Sequence, residues 1–337
     1  MNEQASTIGQ AKSIGQTKTT GQSKTEEKPR AVFLDALSLG PVDFSPLEEQ
    51  ARLTCWPSTQ PEHRLERLID AEIAITNKIR LDADLLQQLP KLRLVCTAST
   101  GTDQVDQAAC RALGIGLHNA GRYSKASVVQ VTWALILELA CNLTIRRQQV
   151  RDGSWQRSSV FALVEPEFDE LANRTLTVIG AGDIGGGVAA IGKAFGMEVH
   201  SITSRSSPHD LETALKEADV VSLHAPLTPK TQRFINRERL GWLKPSAVLV
   251  NMGRGGLIET GALLDALHSG ELAGAALDVL DIEPPGAELE PLKQVSNLIL
   301  TPHFAWTSRQ ARQRLVATLA THLLHYRLGQ IPVETKT

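Results

Sequence analysis

The chain has 337 residues, 42% of them hydrophobic and 21% charged, with a formal net charge of −2. That length accommodates two cores of ordinary domain size. The near-neutral balance gives no electrostatic case for nucleic acid, and the composition is that of a globular protein with a small-molecule partner.

The chain opens with the tandem hexads TIGQAK, SIGQTK and TTGQSK, which repeat Gly9, Gly15 and Gly21 along with Lys12, Lys18 and Lys24. A glycine-containing period of six with almost no large apolar side chains offers too little burial to offset the entropy of ordering. Residues 1–29 are therefore expected as a flexible tail, with a docking segment as the alternative. This stretch lacks the apolar core of a secretory signal and reaches its first arginine at Arg30, so the expected compartment is the cytoplasm. Cys55, Cys96, Cys110 and Cys141 form no CxxC pair and have no histidine at ligand spacing; they read as buried thiols, and no metal site is expected.

From Ala31 short apolar runs alternate with amphipathic stretches. AVFLDA, LTCW, EIAIT, LRLVCTAS and IGLHN predict strands, and PEHRLERLID, DADLLQQL and QVDQAACRAL the helices between them. That alternation predicts a parallel sheet with crossover helices. Lys125 to about Arg151 then carries apolar residues on nearly every face (Val128, Val129, Val131, Trp133, Leu135, Ile136, Leu137, Leu139), which predicts one long helix buried between domains or between subunits. Gln130, Glu138 and Asn142 interrupt it below the ~18 apolar residues of a membrane span, so no membrane partner is expected.

A second series follows: TLTVIGAG, EVHSITS, DVVSLHAP, SAVLVNMG, AGAALDVL and NLILTPH, with GALLDALHSG among its helices. The amphipathic stretch from about Ser308 to Leu328 has no strand after it and is expected to lie back across the first domain. The predicted fold is α/β with two doubly wound parallel-sheet domains: residues 30–120 with 305–333 form one, and residues 121–304 are inserted as the other.

Gly180-x-Gly182-x-x-Gly185 follows an apolar strand and opens a helix through Asp183 and Ile184. Glycines there allow a tight turn and close backbone approach, and the helix N-terminus supplies N–H groups and a positive dipole for a pyrophosphate. About twenty residues on, where such sites hold an acid for the adenosine ribose, stand Thr203, Ser204, Arg205, Ser206 and Ser207. Hydroxyls and a guanidinium suit a 2′-phosphate in place of a hydroxyl. Arg254, Glu283 and His303 lie at strand ends. Singly, each has an ordinary structural use. Together they suit reduction of a 2-keto acid: histidine gives the carbonyl oxygen a proton, glutamate keeps the ring charged and oriented, and the arginine fork holds the carboxylate.

From about Ile75 to Gly329 the sequence resembles the D-isomer-specific 2-hydroxyacid dehydrogenases, especially the glyoxylate/hydroxypyruvate reductase and glycerate dehydrogenase branch. The motifs are Asn77–Lys78, STGTDQVD at 99–106, YSKASVVQ at 123–130, the glycine turn, PLTPKT at 226–231, NMGRGG, LDVLDIEPP and TPHFAW. The resemblance implies a Rossmann nucleotide domain inserted into a flavodoxin-like substrate domain, with Arg254, Glu283 and His303 catalytic. It implies that backbone amides at Thr100 and Gly101 join Arg254 and His303 in binding substrate, with Trp306 narrowing the pocket towards small 2-keto acids. For the cofactor it implies the glycine turn with Asp183 and Ile184, the Thr203–Ser204–Arg205 corner, Pro226, Thr231, Met252 and Gly253, and Asp278 for the nicotinamide carboxamide. The Thr-Ser-Arg order resembles the Thr-Gly-Arg of NADP-using relatives, so NADP(H) is preferred and NAD(H) accepted. A homodimer is also implied. Val129 before Gln130, and Gln104 after Asp103, depart from the usual alanine and asparagine and read as packing changes. Two other readings stay open: an NAD(H)-dependent D-2-hydroxyacid dehydrogenase with another substrate, and a dinucleotide-sensing, corepressor-like binding protein.

Overall fold

Strands buried on both faces of a parallel sheet need near-continuous apolar runs, and the inner strands of this chain have them. The computed structural model describes residues 27–330. The first sheet comprises β1 (Arg30–Phe33), β2 (Arg52–Cys55), β3 (Ile73–Thr76), β4 (Leu94–Thr97) and β5 (Gly116–Asn119), all parallel in the order β2-β1-β3-β4-β5. Every residue of β3 and β4 is buried. Between the strands run α1 (Ser45–Glu48), α2 (Arg64–Leu68), α3 (Ala83–Gln87) and α4 (Gln107–Ala112). Asp82 and Asp106 start the last two by accepting the Leu85 and Ala109 N–H groups, so both helices begin later than their apolar pattern.

The segment expected as one long helix is two. α5 (Lys125–Cys141) ends at Asn142, whose φ of 53° is left-handed, and α6 (Leu143–Arg151) departs at 61°. Asparagine tolerates that conformation, and the Glu138 side chain takes the Thr144 N–H at 3.0 Å, which closes the first helix. α5 buries Val128, Val129, Trp133, Leu135 and Ile136, whereas α6 buries none of its residues. The expectation of burial along the whole segment is thus corrected. Among the described residues no single helix is long and apolar enough to cross a membrane.

The second sheet comprises β6 (Thr175–Ile179), β7 (Glu198–Ile202), β8 (Val220–Leu223), β9 (Val248–Asn251), β10 (Gly274–Leu277) and β11 (Leu298–Leu300), again all parallel. Its helices are α7 (Asp183–Ala194), α8 (Pro208–Glu217), α9 (Arg237–Leu240), α10 (Thr260–Ser269) and α11 (Leu289–Lys293). The order β11-β10-β9-β8-β6-β7 repeats the winding of the first sheet with one strand more. In the 3-2-1-4-5-6 winding a further strand would flank β7. Here the chain between β7 and β8 forms only α8, so β7 is an edge strand and the Thr203–Ser207 corner lies open to solvent.

The final helix, α12 (Arg309–Arg327), returns to the first domain as expected. It buries Ala311, Leu315, Val316, Leu319, Ala320 and Leu323 in the core beneath the first sheet, and its Arg312 donates to the Leu39 carbonyl at 2.6 Å. Of the expected tail, residues 1–26 lie outside the described residues. Residues 27–29 run beside β2, where the Arg52 N–H donates to the Pro29 carbonyl at 2.9 Å and the Arg52 guanidinium pairs with Glu27 at 2.6 Å. The expected burial of all four thiols holds for Cys96 and Cys110 and is corrected at the other two: Cys55 is exposed because β2 is an edge strand, and Cys141, the last residue of α5, is only partly buried.

Candidate active site

β6 is followed directly by Gly180, whose φ is 90°. A Cβ there would stand 2.5 Å from the Ala225 nitrogen, and one at Gly185 would strike the Gly180 carbonyl. Only glycine fits either position. At Gly182 a Cβ would meet nothing within 4 Å. That open space precedes the first turn of α7, where backbone N–H groups and the helix dipole suit a pyrophosphate. The turn lies where the chain reverses winding direction, between β6 and β8, the expected place for a ligand in an open parallel sheet. These residues fit a dinucleotide.

At the end of β7, Thr203 and Arg205 form a tight corner. The Thr203 N–H donates to Ser206 Oγ at 3.1 Å and the Arg205 N–H to Thr203 Oγ1 at 3.2 Å, which leaves both hydroxyl protons to donate elsewhere. Thr203, Ser204 and Arg205 are all exposed, and among the described residues no carboxylate pairs with Arg205. Ser207 is spent on the helix instead: it caps α8 reciprocally with Asp210. Across the sheet, Thr231 closes the 226–231 loop by donating to the Pro226 carbonyl at 2.6 Å, and the Met252 N–H donates to the Leu223 carbonyl at 3.1 Å. A Cβ on Gly253 would sit 2.9 Å from the Ala225 carbonyl, so the ends of β8 and β9 are drawn tightly together.

Arg254 follows directly. Asn251 shapes its backbone, donating to the Arg254 carbonyl at 2.9 Å and accepting the Gly253 N–H at 3.0 Å. The guanidinium reaches the first domain: its Nε lies 3.7 Å from Asp103 Oδ2, and a Cβ on Gly101 would stand 2.6 Å from Nη2. The loop around Gly101 turns its carbonyls into the scaffold. Asn119 donates to the Thr100 carbonyl at 2.8 Å and Ser99 Oγ to the Gly101 carbonyl at 2.7 Å. The Thr100 and Gly101 N–H groups have no acceptor among the described residues, so they are available to an anion.

Sequence reading missed what holds this loop. Gln104, expected as a packing change, donates to the Asn77 carbonyl at 2.8 Å and to Ser99 Oγ at 3.3 Å, tying two loops together. Asp35 accepts the Asn77 and Lys78 N–H groups at 2.9 and 2.7 Å; burial pushes its carboxyl above the usual range against those bonds. An acid inside the apolar run AVFLDA was the available signal.

His303 adopts a left-handed φ of 50°, rare for a residue with a Cβ. Its Nδ1 lies 2.5 Å from Glu283 Oε2, and Glu283 Oε1 accepts the Leu280 N–H at 2.9 Å. Both side chains are about one quarter exposed, at 26% and 27%. Burial alone would raise the Glu283 carboxyl, but the bond and charge of His303, the Leu280 N–H and the charge of Lys78 outweigh it, leaving the group below its usual range. Asp278, only 2% exposed, fixes the histidine loop. Its Oδ1 accepts the Thr301 hydroxyl at 2.6 Å and the Phe304 N–H at 3.0 Å, and its Oδ2 the Ala305 N–H at 3.0 Å. Trp306 is half-buried against the first-domain core, edge-on to Tyr123 with ring centroids 6.2 Å apart. The helix that joins the domains holds this loop as well: Ser127 Oγ donates to the Ala305 carbonyl at 2.6 Å.

Two parallel-sheet domains, a glycine turn at the switch point of one, and an arginine beside a histidine–glutamate pair between them define a two-domain, dinucleotide-binding enzyme. The model of the D-isomer specific 2-hydroxyacid dehydrogenase NAD binding domain matches residues 133–305. A glycerate dehydrogenase of Methylorubrum extorquens is 38% identical over 89% of this chain and 97% of its own. A glyoxylate reductase of Aeropyrum pernix is 35% identical over 90% of this chain and 92% of its own. Among solved structures, a D-lactate dehydrogenase from Aquifex aeolicus complexed with NAD and lactic acid has a TM-score of 0.79 at 28% identity, covering 89% of this chain and 96% of that one. The chain belongs to the D-isomer specific 2-hydroxyacid dehydrogenase family and is an NAD(P)-dependent D-2-hydroxyacid dehydrogenase similar to glyoxylate and hydroxypyruvate reductases.

Proposed function

We propose that the protein reduces a small 2-keto acid, glyoxylate or hydroxypyruvate, to glycolate or D-glycerate, with His303 as proton donor, Glu283 as its partner and Arg254 as the carboxylate clamp. The observation that supports this best is the His303–Glu283 bond at 2.5 Å, in a cleft where Arg254 abuts the free amides of Thr100 and Gly101. A bound nicotinamide dinucleotide supplies the hydride. With Nδ1 engaged, the histidine has Nε2 left to protonate the carbonyl oxygen, and the carboxylate stabilises the ring while it is charged. In the oxidative direction the same nitrogen accepts the proton. We assign residues 30–120 and 305–333 to the substrate domain and 121–304 to the nucleotide domain; residues 331–333 lie outside the described residues.

Preference for NADP(H) over NAD(H) is part of the proposal. It is supported by the missing acid at the end of β7 and by the unpaired Arg205 beside the Thr203 and Ser204 hydroxyls. Asp278 has acceptor capacity left on Oδ2, which suits the nicotinamide carboxamide. Trp306 has its main contacts in the core, so its effect on substrate size rests on its edge alone. A panel of 2-keto acids assayed with NADPH and with NADH tests the reading: a chain that turns over none of them is not this reductase. Arg254→Lys keeps the charge and loses the fork, so KM for the keto acid should rise, kcat should fall, and kcat/KM should drop roughly ten- to hundredfold. Wild-type kinetics in that variant would remove Arg254 from the clamp.

We also propose a homodimer. The stretch after α6 is gathered by Arg146, whose guanidinium donates to the carbonyls of Leu163, Val164, Glu165 and Pro166. That arm exposes Trp155, Val160, Val164, Phe168 and, at 92%, Phe161. Between it and the lower strand ends opens a cavity of about 670 Å³, lined in part by Leu139, Ile145, Phe168 and Leu298. An apolar arm of this kind on a catalytic chain suits a second copy as its occupant. Light scattering should give twice the chain mass, and Phe161→Asp with Val164→Asp should give monomers. A monomeric wild type at micromolar concentration would overturn the dimer.

A further inference from the structure

We propose that Lys125, delivered by the helix that joins the two domains, is a contact for the cofactor pyrophosphate. The proposal rests on the dinucleotide site at the glycine turn and adds to it a cation that the turn itself lacks. Between Gly180 and Gly187 the only charged side chain is Asp183, the first residue of α7. A carboxylate there favours the helix through its dipole but opposes a second anion arriving at the same N–H groups. Taken alone, the phosphate cradle carries a net negative charge, which is the wrong sign for its ligand.

Lys125 corrects that sign. It is the first residue of α5, and its Nζ lies 3.0 Å from Asp183 Oδ1. The stem is laid along α7: a Cβ on Gly187 would stand 3.4 Å from Lys125 Cε and 2.8 Å from Val129 Cγ2, so the glycine at 187 lets the two helices close together and brings the ammonium to the mouth of the turn. An ammonium has three donors, so a lysine paired with one carboxylate oxygen keeps donors for phosphate oxygens. Its side chain is 49% exposed, against 23% for Asp183, so the cation is the more accessible member of the pair. No other lysine, arginine or histidine pairs with Asp183 among the described residues. Asp183 thus holds Lys125 in place before the cofactor arrives, and the pyrophosphate then shares it.

The pyrophosphate is common to NADH and NADPH, which separates this contact from anything at Arg205. Binding is measured on the full chain by quenching of intrinsic fluorescence with NADH and NADPH and by calorimetry with ADP-ribose. K125M should weaken all three ligands by a similar factor, about tenfold or more, as expected for one lost charge-assisted hydrogen bond. D183N should tighten them, and K125M with D183N should remain weaker than D183N by the same factor. Three results would overturn the proposal: unchanged affinity in K125M, a loss confined to NADPH, or a double variant as tight as D183N, since Lys125 would then only neutralise Asp183. Wild-type protein that binds none of the three would overturn the dinucleotide site itself, and is told apart because every variant would then be equally silent.

Discussion

Replacing His303 with alanine should lower kcat for keto-acid reduction by roughly a hundred- to ten-thousand-fold, the usual worth of a positioned acid or base, while dinucleotide affinity stays almost unchanged. The imidazole is held for one task. Its Nδ1 is bound to Glu283, the Asp278 carboxylate holds the residues on either side of its left-handed backbone, and among the described residues no hydrogen bond or ion pair joins it to the glycine turn. Stopped-flow measurement of a single turnover separates the chemical step from binding, and an alanine variant of comparable rate would remove His303 from the mechanism. Glu283→Gln gives the complementary result. Glutamine keeps a hydrogen-bonding oxygen but not the charge that favours a protonated ring, so reduction should survive better on the acid side of the profile than at neutral pH. An unchanged pH profile would argue against the pair. Stability follows a separate rule. The folded carboxyl of Glu283 lies below its usual range, so its ionised form favours the fold above that range, and the contribution fades as pH falls through it. The glutamine variant should therefore lose part of wild-type stability near neutral pH and converge with wild type in acid.

Exchanging the corner at the end of β7 should move cofactor preference. Arg205→Ala should raise KM for NADPH and leave NADH almost alone, because NADH offers only a ribose hydroxyl where the guanidinium would meet a phosphate. Adding Thr203→Asp should go further, since the new carboxylate accepts bonds from that ribose and repels the phosphate. Each charge-assisted bond is worth about 1.5–3 kcal/mol, roughly ten- to hundredfold in kcat/KM. Arg205 is exposed, so salt screens the effect and both cofactors must be compared at the same modest ionic strength. A wild type that already prefers NADH, or variants slowed equally with both cofactors, would sink the NADP assignment.

Both β/α series were legible in the residues, because parallel strands and amphipathic helices carry periods that need no tertiary information. The returning helix was legible for the same reason: Leu315, Leu319 and Leu323 repeat at the spacing of one helix face. The break at Asn142 was not. Apolar residues continue past it, and only a left-handed backbone, admissible for asparagine but not announced by it, turns the chain by 61°. The missing strand beside β7 was equally hidden, since a short connection shows its consequence only once the sheet is assembled.

The residue types needed for the chemistry were determined by the sequence alone: the glycines of the turn, whose Cβ-free backbone is a local requirement, and an arginine, a glutamate and a histidine at strand ends. Which of their atoms meet was decided by the tertiary structure. Gln104 binding Asn77 and Ser99, Asp278 gripping the histidine loop, and Lys125 lying on Asp183 are contacts between residues 5 to 58 positions apart. Hydrogen bonds and ion pairs depend on distances of a few tenths of an ångström, and those follow from how two sheets and their joining helix pack. No period in the chain encodes them.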